Sequence, residues 1–259
     1  MKIATLNINS INARLELLTG WLRTASPDVV FLQEIKTTAD NFPFLELQMA
    51  GYHAEIVGQK SYNGVAVLSK EKTKVVCTAL EGFDNTQARY LEVELSSKIS
   101  LASVYMPNGN PKTSDKFQNK LSFMSAFNEH AKKLLFQKEY VVFGGDFNVI
   151  LKGSDVYQPE LFKNNALTDE AARNHLTALE YMGFYDAYRI LNTDSGYTFW
   201  DYTARAFEAD FGMRIDYLFL SPKMADLLQE CFVDKSLRAA EKPSDHAPLV
   251  ALFDIEATK

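Results

Sequence analysis

Carboxylates recur at the ends of apolar runs in this chain. "DVVFLQEIK" closes on Glu34 and Lys36, and "YVVFGGDFN" closes on Asp146 and Asn148. "RIDYLFLSP" carries Asp216 near its start, and "PSDHAPLVALFDI" sets Asp245 and His246 just ahead of its run. Each run has the length and β-branched content of a buried strand, so the carboxylates fall at strand ends. Taken singly, such a residue reads as a turn or surface charge. If the ends converge, Glu34, Asp146, Asp216 and Asp245 bring several negative charges close together and need neutralising. Magnesium or manganese does this, because both prefer oxygen ligands and orient phosphate oxygens.

His246 narrows the chemistry. It follows Ser244 and Asp245, with Asp216 available to orient its ring, and an imidazole in that setting binds or protonates a phosphoryl oxygen. His53, His130 and His175 fall in loop or helix contexts that suit solvated or satisfied rings. Asparagines end strands too: Asn7 and Asn9 in "KIATLNIN", Asn108 after Tyr105 in "SLASVYMPN", and Asn148. An amide offers donor and acceptor without charge, so it positions a water, a carboxylate or a phosphate oxygen. Asn110 reads as a turn cap. The chain has no GxSxG elbow, GxxxxGK[ST] loop, strand-borne GxGxxG or HExxH helix.

Between the strands lie helical periods. "NARLELLTGWLRTA" aligns Leu15, Leu18 and Leu22; "SDKFQNKLSFMSAFNEHAKKLL" aligns Phe117, Leu121, Met124 and Phe127; "TDEAARNHLTALEYMGF" aligns Ala172, Leu176 and Leu179. Ser114 and Thr168 are expected N-caps. Strands outnumber helices without strict alternation, which predicts an α/β sandwich of packed sheets with helices outside. In "FGGDFN", Gly144 and Gly145 are expected to leave room for backbone close to substrate.

Bulk composition sets outer bounds. The 259 residues suit one domain spanning 1–259, with Gly (12) and Pro (8) scattered and no linker or repeat. Apolar runs are strand-sized, and "MKIATLNINS" lacks a signal-peptide apolar core, so no membrane association is expected. Two cysteines without CxxC spacing point to a reducing cytoplasm. The net charge of −6 argues against a general basic coat for nucleic acid, leaves a local groove open, and fits a site that gathers cations before phosphate approaches.

The ordered set "NINS", "LQEIK", "VYMPNGN", "GGDFN", "RIDYLFLSP" and "SDHAP" resembles the exonuclease III family of apurinic/apyrimidinic (AP) endonucleases. That family lies within the endonuclease/exonuclease/phosphatase superfamily, and the resemblance runs from Met1 to about Ile255, taking in "YNGVAVLSK", "DVYQPE" and "GFYDAYR". It implies a DNase I-like, four-layered α/β sandwich, with two packed mixed β-sheets flanked by helices. It further implies Glu34 as a magnesium or manganese ligand, with Asn7 and Asp245 close to the same ion and Lys36 supporting the carboxylate. By the same resemblance Asp146 orients or deprotonates the attacking water, and Asn148 holds Asp146 and a phosphate oxygen. His246, paired with Asp216, binds the scissile phosphate, and Tyr105 and Asn108 contact it, with Asn9 also at the substrate. The implied reaction is metal-assisted hydrolysis of a phosphodiester.

Substrate choice rests on other residues. "YTFWDYTARAFEADFGMRIDYL" matches the family's loop around a flipped abasic sugar, with Phe199, Met213 and Ile215 as expected walls and Trp200 behind them. The implied partner is double-stranded DNA with abasic sites or 3′ ends, cut by a monomer. Two departures stand out: Glu208 and Asp210 occupy places often basic in the family, and Gly109-Asn110-Pro111 lacks an arginine. Lys112, Lys116, Lys120 and Arg205 are the candidate DNA-backbone contacts. The rival readings are a dedicated 3′–5′ exonuclease, a small-molecule or lipid-headgroup phosphodiesterase, and a non-catalytic binding module.

Overall fold

The computed structural model describes residues 1–84 and 86–255. In chain order its strands are β1 (Lys2–Asn7), β2 (Val29–Gln33), β3 (His53–Val57), β4 (Val65–Ser69), β5 (Lys74–Cys77), β6 (Tyr90–Glu94) and β7 (Ser100–Tyr105). There follow β8 (Val141–Asp146), β9 (Tyr185–Asp186), β10 (Phe199–Trp200), β11 (Gly212–Met213), β12 (Asp216–Leu220), β13 (Leu228–Val233) and β14 (Leu249–Phe253). Helices are α1 (Leu15–Ala25), α2 (Phe44–Met49), α3 (Asp115–Gln137), α4 (Glu170–Tyr181), α5 (Ala187–Leu191) and α6 (Pro222–Asp226).

Two six-stranded sheets run β13-β14-β1-β2-β4-β3 and β5-β6-β7-β8-β12-β9, with β10-β11 as a separate ribbon. Each large sheet has one parallel pair, β1 with β2 and β7 with β8, among antiparallel neighbours. A parallel pair needs a crossover, and α1 and α3 supply the two. The C-terminal ends of both pairs therefore carry loops, and the register sets Asn7 beside Gln33 and Tyr105 beside Asp146.

Alternation along the strands divides the core into layers. Ile3, Val29, Phe31 and Val67 meet Leu91, Leu101, Val142 and Leu218 between the sheets. Ala4, Leu6, Val30 and Leu32 turn outward to Leu18, Trp21 and Leu22 of α1. On the other flank Ala102, Val141, Phe143 and Phe219 pack on α3 and α4 through Phe123, Phe127, Leu176 and Leu179. The four-layered sandwich expected from sequence is the fold. Because side chains alternate, Ile3 inward and Ala4 outward commit Thr5 and Asn7 to the inter-sheet side. There a buried polar link joins the sheets, with Gln33 donating to Ser103 at 3.1 Å and Ser103 donating to the Leu32 carbonyl at 3.0 Å.

Three local expectations change. Gly144 and Gly145 serve packing: a Cβ on Gly144 would lie 2.1 Å from Phe31 Cδ2, and one on Gly145 would lie 1.8 Å from the Val104 carbonyl oxygen. The room they leave is filled by the opposite sheet and the neighbouring strand. The N-cap of α4 is Asp169, which accepts from Ala171 N, while the Thr168 hydroxyl donates to Phe162 O. Ser114 holds the cap position of α3, but its hydroxyl donates to Pro111 O at 2.7 Å. In both places a nearer carbonyl captures the hydroxyl.

Candidate active site

The parallel-pair ends meet across the sheet interface. Asn7, at the end of β1, donates through Nδ2 to Glu34 Oε1 at 2.8 Å and to Asp146 Oδ2 at 3.0 Å. One amide thus spans both sheets. From the opposite side Tyr105 OH donates to the same Glu34 oxygen at 2.8 Å, and Lys36 Nζ lies 2.8 Å from Glu34 Oε2. Burial would raise the Glu34 carboxyl, but the bonds from Asn7, Lys36 and Tyr105 outweigh it and hold it below the usual carboxylate range.

Asp146 and Asp216 are directly paired across the antiparallel β8–β12 ladder, at 2 % and 0 % exposure. Asp216 Oδ2 lies 2.8 Å from His246 Nδ1, and His246 Nε2 lies 3.9 Å from Asp146 Oδ2. Burial disfavours a charged imidazole, yet the Asp216 carboxylate, with Asp146 and Asp245, overcomes it and raises His246 to about 10. Asp146 moves the opposite way for a carboxylate's charge. Burial raises it to about 7, against the pull of His246 and the Asn7 bond. A carboxyl poised near neutrality beside a held imidazolium suits proton exchange with a water or oxygen ligand.

Asn148 follows in the left-handed region (φ 50°), and its backbone N–H donates to Asp146 Oδ1 at 3.0 Å. Its side chain donates to Met106 O at 3.0 Å and accepts from Asn108 Nδ2 at 2.9 Å. Asn110 donates to Asn108 Oδ1 at 2.9 Å and accepts from Ala166 N at 2.9 Å, so it braces the turn as expected. Asn9 joins the other rim, with its amide on Asp245 Oδ1 at 3.1 Å and its carbonyl oxygen taking a bond from Lys36 at 2.6 Å.

The structure gathers Asn7, Asn9, Glu34, Lys36, Tyr105, Asn108, Asp146, Asn148, Asp216, Asp245 and His246 into one rim, joined by hydrogen bonds and, between His246 and Asp146, by a 3.9 Å contact. It corrects the image of a bare carboxylate cluster. Amides of Asn7 and Asn9 and the cations of Lys36 and His246 stand between the acids, and no three His, Cys, Asp or Glu side chains among the described residues meet as metal ligands. The hard oxygens of Glu34, whose side chain is 20 % exposed at the rim, and of Asp245 still fit a magnesium or manganese ion by donor type.

Trp200 does not stand behind the expected sugar pocket. Phe199, Met213 and Ile215 pack with Ile150, Val156, Leu167, Tyr157 and Phe162, whereas Trp200 packs with Ala206, Ala247 and Phe207. Phe199 and Trp200 are neighbours on β10, so they point to opposite faces. Asp210 is spent within its own loop, accepting from Trp200 Nε1 at 3.0 Å and pairing with Lys235 at 3.3 Å, while Glu208 is exposed. Of the candidate DNA-backbone contacts, Lys116 and Arg205 are exposed and Lys112 pairs with Asp169. Lys120 is 0 % exposed and cannot reach DNA.

Two contributors went unread in the sequence, and a third, Lys120, was read there as a DNA contact. Ser244 Oγ donates to the Asn7 carbonyl at 2.6 Å and lies 3.3 Å from Asp245 Oδ1, fixing the loop that carries His246. Arg89 covers the Tyr105 ring at 4.7 Å and donates to Tyr105 O. Lys120 had a signal: it lies three residues after Phe117 and four before Met124, on the apolar stripe of α3.

Comparison with known proteins agrees with this geometry. The profile of the endonuclease/exonuclease/phosphatase family matches residues 4–246. Exodeoxyribonuclease III of Haemophilus influenzae is 30% identical over 269 residues, covering 98% of this chain and 100% of that protein. Among solved structures, a 3′ phosphatase from Neisseria bound to a product DNA hairpin superposes with a TM-score of 0.95 at 36% identity, over 98% of this chain and 99% of that one. An AP endonuclease from Archaeoglobus fulgidus superposes with a TM-score of 0.94 at 34% identity, over 98% and 100%. The carboxylate and amide rim at the ends of two parallel strand pairs, and the likeness along nearly the whole chain, establish that this protein belongs to the endonuclease/exonuclease/phosphatase family.

Proposed function

We propose that this chain is a divalent-metal-dependent DNA repair nuclease. It hydrolyses the phosphodiester 5′ to abasic sites in duplex DNA and removes 3′ blocking groups or nucleotides. The observation that carries the reading is Asp146, a carboxyl only 2 % exposed and held between the Asn7 amide at 3.0 Å and the His246 imidazole at 3.9 Å. The relatives are named as an exodeoxyribonuclease III, a 3′ phosphatase and an AP endonuclease, and each of those activities attacks a phosphate ester of DNA. We take the chain to act as one domain and as a monomer in a reducing cytoplasm, in keeping with free Cys77 and Cys231. Among the described residues no helix is long and apolar enough to cross a membrane.

Glu34 and Asp245, with Asn7 alongside, would hold magnesium or manganese, which supplies charge neutralisation at the phosphate oxygens. Lys36 keeps Glu34 ionised. Asp146 accepts the proton of the attacking water, and the Asn148 N–H fixes which carboxylate oxygen faces it. His246 binds a phosphoryl oxygen as a cation through Nε2, because Nδ1 is committed to Asp216. Tyr105 and Asn108 hold the remaining phosphate oxygens, with the Tyr105 hydroxyl near the leaving oxygen. Burial and the Glu34 and Asp146 charges raise Tyr105 well above the usual phenol range, so it serves as a donor.

The test uses a duplex with one abasic-site analogue beside an undamaged blunt duplex, each with magnesium and with chelator. Magnesium-dependent incision at the lesion is expected, and Asp146→Asn, folded by circular dichroism, should lose about 10²–10⁴-fold in rate. Undiminished cleavage by that variant sinks the mechanism. A second reading, a 3′–5′ exonuclease or 3′ phosphodiesterase with weak lesion incision, is favoured by the packed state of the expected sugar pocket, where Ile215 is 3 % exposed. Digestion from 3′ ends without lesion incision selects it, and no cleavage of either duplex selects a small-molecule phosphodiesterase.

A further inference from the structure

Lys120 is a buried lysine for which the described residues supply no carboxylate at ion-pair distance, on a helix face otherwise made of Phe117, Phe123, Met124 and Phe127. Its ammonium donates to three backbone carbonyls: Asn148 O at 2.6 Å, Asn108 O at 3.1 Å and Ala166 O at 3.2 Å. An ammonium has three N–H donors, so the three bonds account for all of them. The acceptors come from the β7–α3 loop, at Asn108, and from the two ends of the β8–α4 connection, at Asn148 and Ala166. Gly109 closes over the lysine stem. It adopts φ +85°, and a Cβ there would lie 2.7 Å from Lys120 Cδ.

Two of the acceptors belong to residues whose side chains form the substrate rim. Asn108 Nδ2 donates to Asn148 Oδ1 at 2.9 Å, and Asn148 N–H orients Asp146 at 3.0 Å. Asn148 holds a left-handed backbone, which asparagine adopts more readily than other non-glycine residues. The third acceptor is Ala166, whose N–H binds Asn110 Oδ1 at 2.9 Å, which closes the ring of loops.

We propose that Lys120 is a positioning residue for the hydrolysis: its ammonium ties the Asn108, Asn148 and Ala166 carbonyls into one tripod and so aims the Asn108 and Asn148 amides and Asp146 at the phosphate. The inference rests on the nuclease reading above. A merely space-filling side chain at this place would be apolar, like its neighbours on α3. Burial lowers Lys120 to about 7, and the nearby charges of Asp146 and Asp169 work against that loss. A buried charge kept at such cost, with every donor aimed at loop carbonyls, serves those loops.

The test compares the parent with Lys120→Met, which keeps the stem, and Lys120→Gln, which keeps an amide donor. Single-turnover and steady-state cleavage of the abasic duplex are measured beside circular dichroism and thermal melts. Lys120→Met is expected to fold and to lose about 100-fold in kcat, the cost of roughly 1 Å of misplacement, with KM little changed. Lys120→Gln should recover part of that loss. A folded Lys120→Met with parental kcat overturns the proposal, as does a loss confined to KM or a Lys120→Gln no better than Lys120→Met. Should Lys120→Met fail to fold, a folded Lys120→Gln at the parental rate overturns it, and a reduced kcat at parental KM supports it. A parent inactive on DNA removes the nuclease reading and this inference with it, whereas an active parent with unaffected variants removes this inference alone.

Discussion

At the scale of single residues the site works by splitting two like groups into opposite states. Asp146 and Asp216 face each other across one ladder rung, yet only Asp216 has the His246 imidazole at hydrogen-bond distance. The Asp216 carboxylate is thus the group that holds the His246 cation, while burial drives Asp146 up to about 7. Raising His246 from 6.5 to about 10 also couples it to folding. The stability it contributes is complete below its unfolded value and is lost as pH rises through its folded value. In metal-free protein, an NMR titration should show the His246 ring charged through neutral pH. In Asp216→Asn the carboxylate is gone and burial dominates, so the ring should lose its proton below the ordinary histidine value. A ring still charged at alkaline pH in that variant would mean that Asp216 is not what holds it.

At the scale of elements, the loops that frame the site are pinned by a buried ionic knot. Arg214, 0 % exposed and placed between β11 and β12, lies 2.6 Å from Asp186 Oδ2 and 3.1 Å from Asp155 Oδ2, and Arg189 lies 2.5 Å from Asp155 Oδ1. Burial would raise the Asp155 carboxyl, but the two guanidiniums hold it below its ordinary 3.8. Its stability is thus present above that value and fades as pH falls through the depressed one. Asp155→Asn leaves Arg214 under-paired in the interior and should cost about 3–5 kcal/mol in urea unfolding at neutral pH, less in acid. An unchanged midpoint would make the knot dispensable. This knot was not legible in the sequence, because nothing in "KGSDVYQP" or "GMRIDYL" says that an aspartate and an arginine 59 residues apart will meet. That the strand-end polar residues would come together in one rim was legible, since they follow local periodicity. The roles of Gly144, Trp200 and Lys120 were misread because each depends on which face of its element meets a neighbour, which only the packing of sheets and α3 decides.

At the scale of the whole molecule, a chain of net charge −6 must receive a polyanion at a rim lined by Glu34, Asp146, Asp216 and Asp245. Lys36 and His246 offset two of those charges, so the rim stays formally net negative whether or not Asp146 is ionised. A phosphate about 4 Å from one uncompensated charge is repelled by roughly 4 kcal/mol at an effective dielectric of about 20. On the proposed nuclease reading, binding of DNA should therefore depend on a cation at the rim, with Lys116 and Arg205 exposed as further basic groups. With an uncleavable abasic duplex at fixed ionic strength, replacing chelator by magnesium should tighten binding about tenfold or more, and the gain should shrink in Glu34→Gln. The salt dependence should be shallow, since log K falls by about 0.9 per phosphate neutralised for each decade of salt and the net charge of −6 argues against an extended basic footprint. Equal affinity in chelator and magnesium would mean that the rim needs no neutralising ion to admit DNA. A steep salt slope would instead reveal a basic footprint elsewhere on the surface.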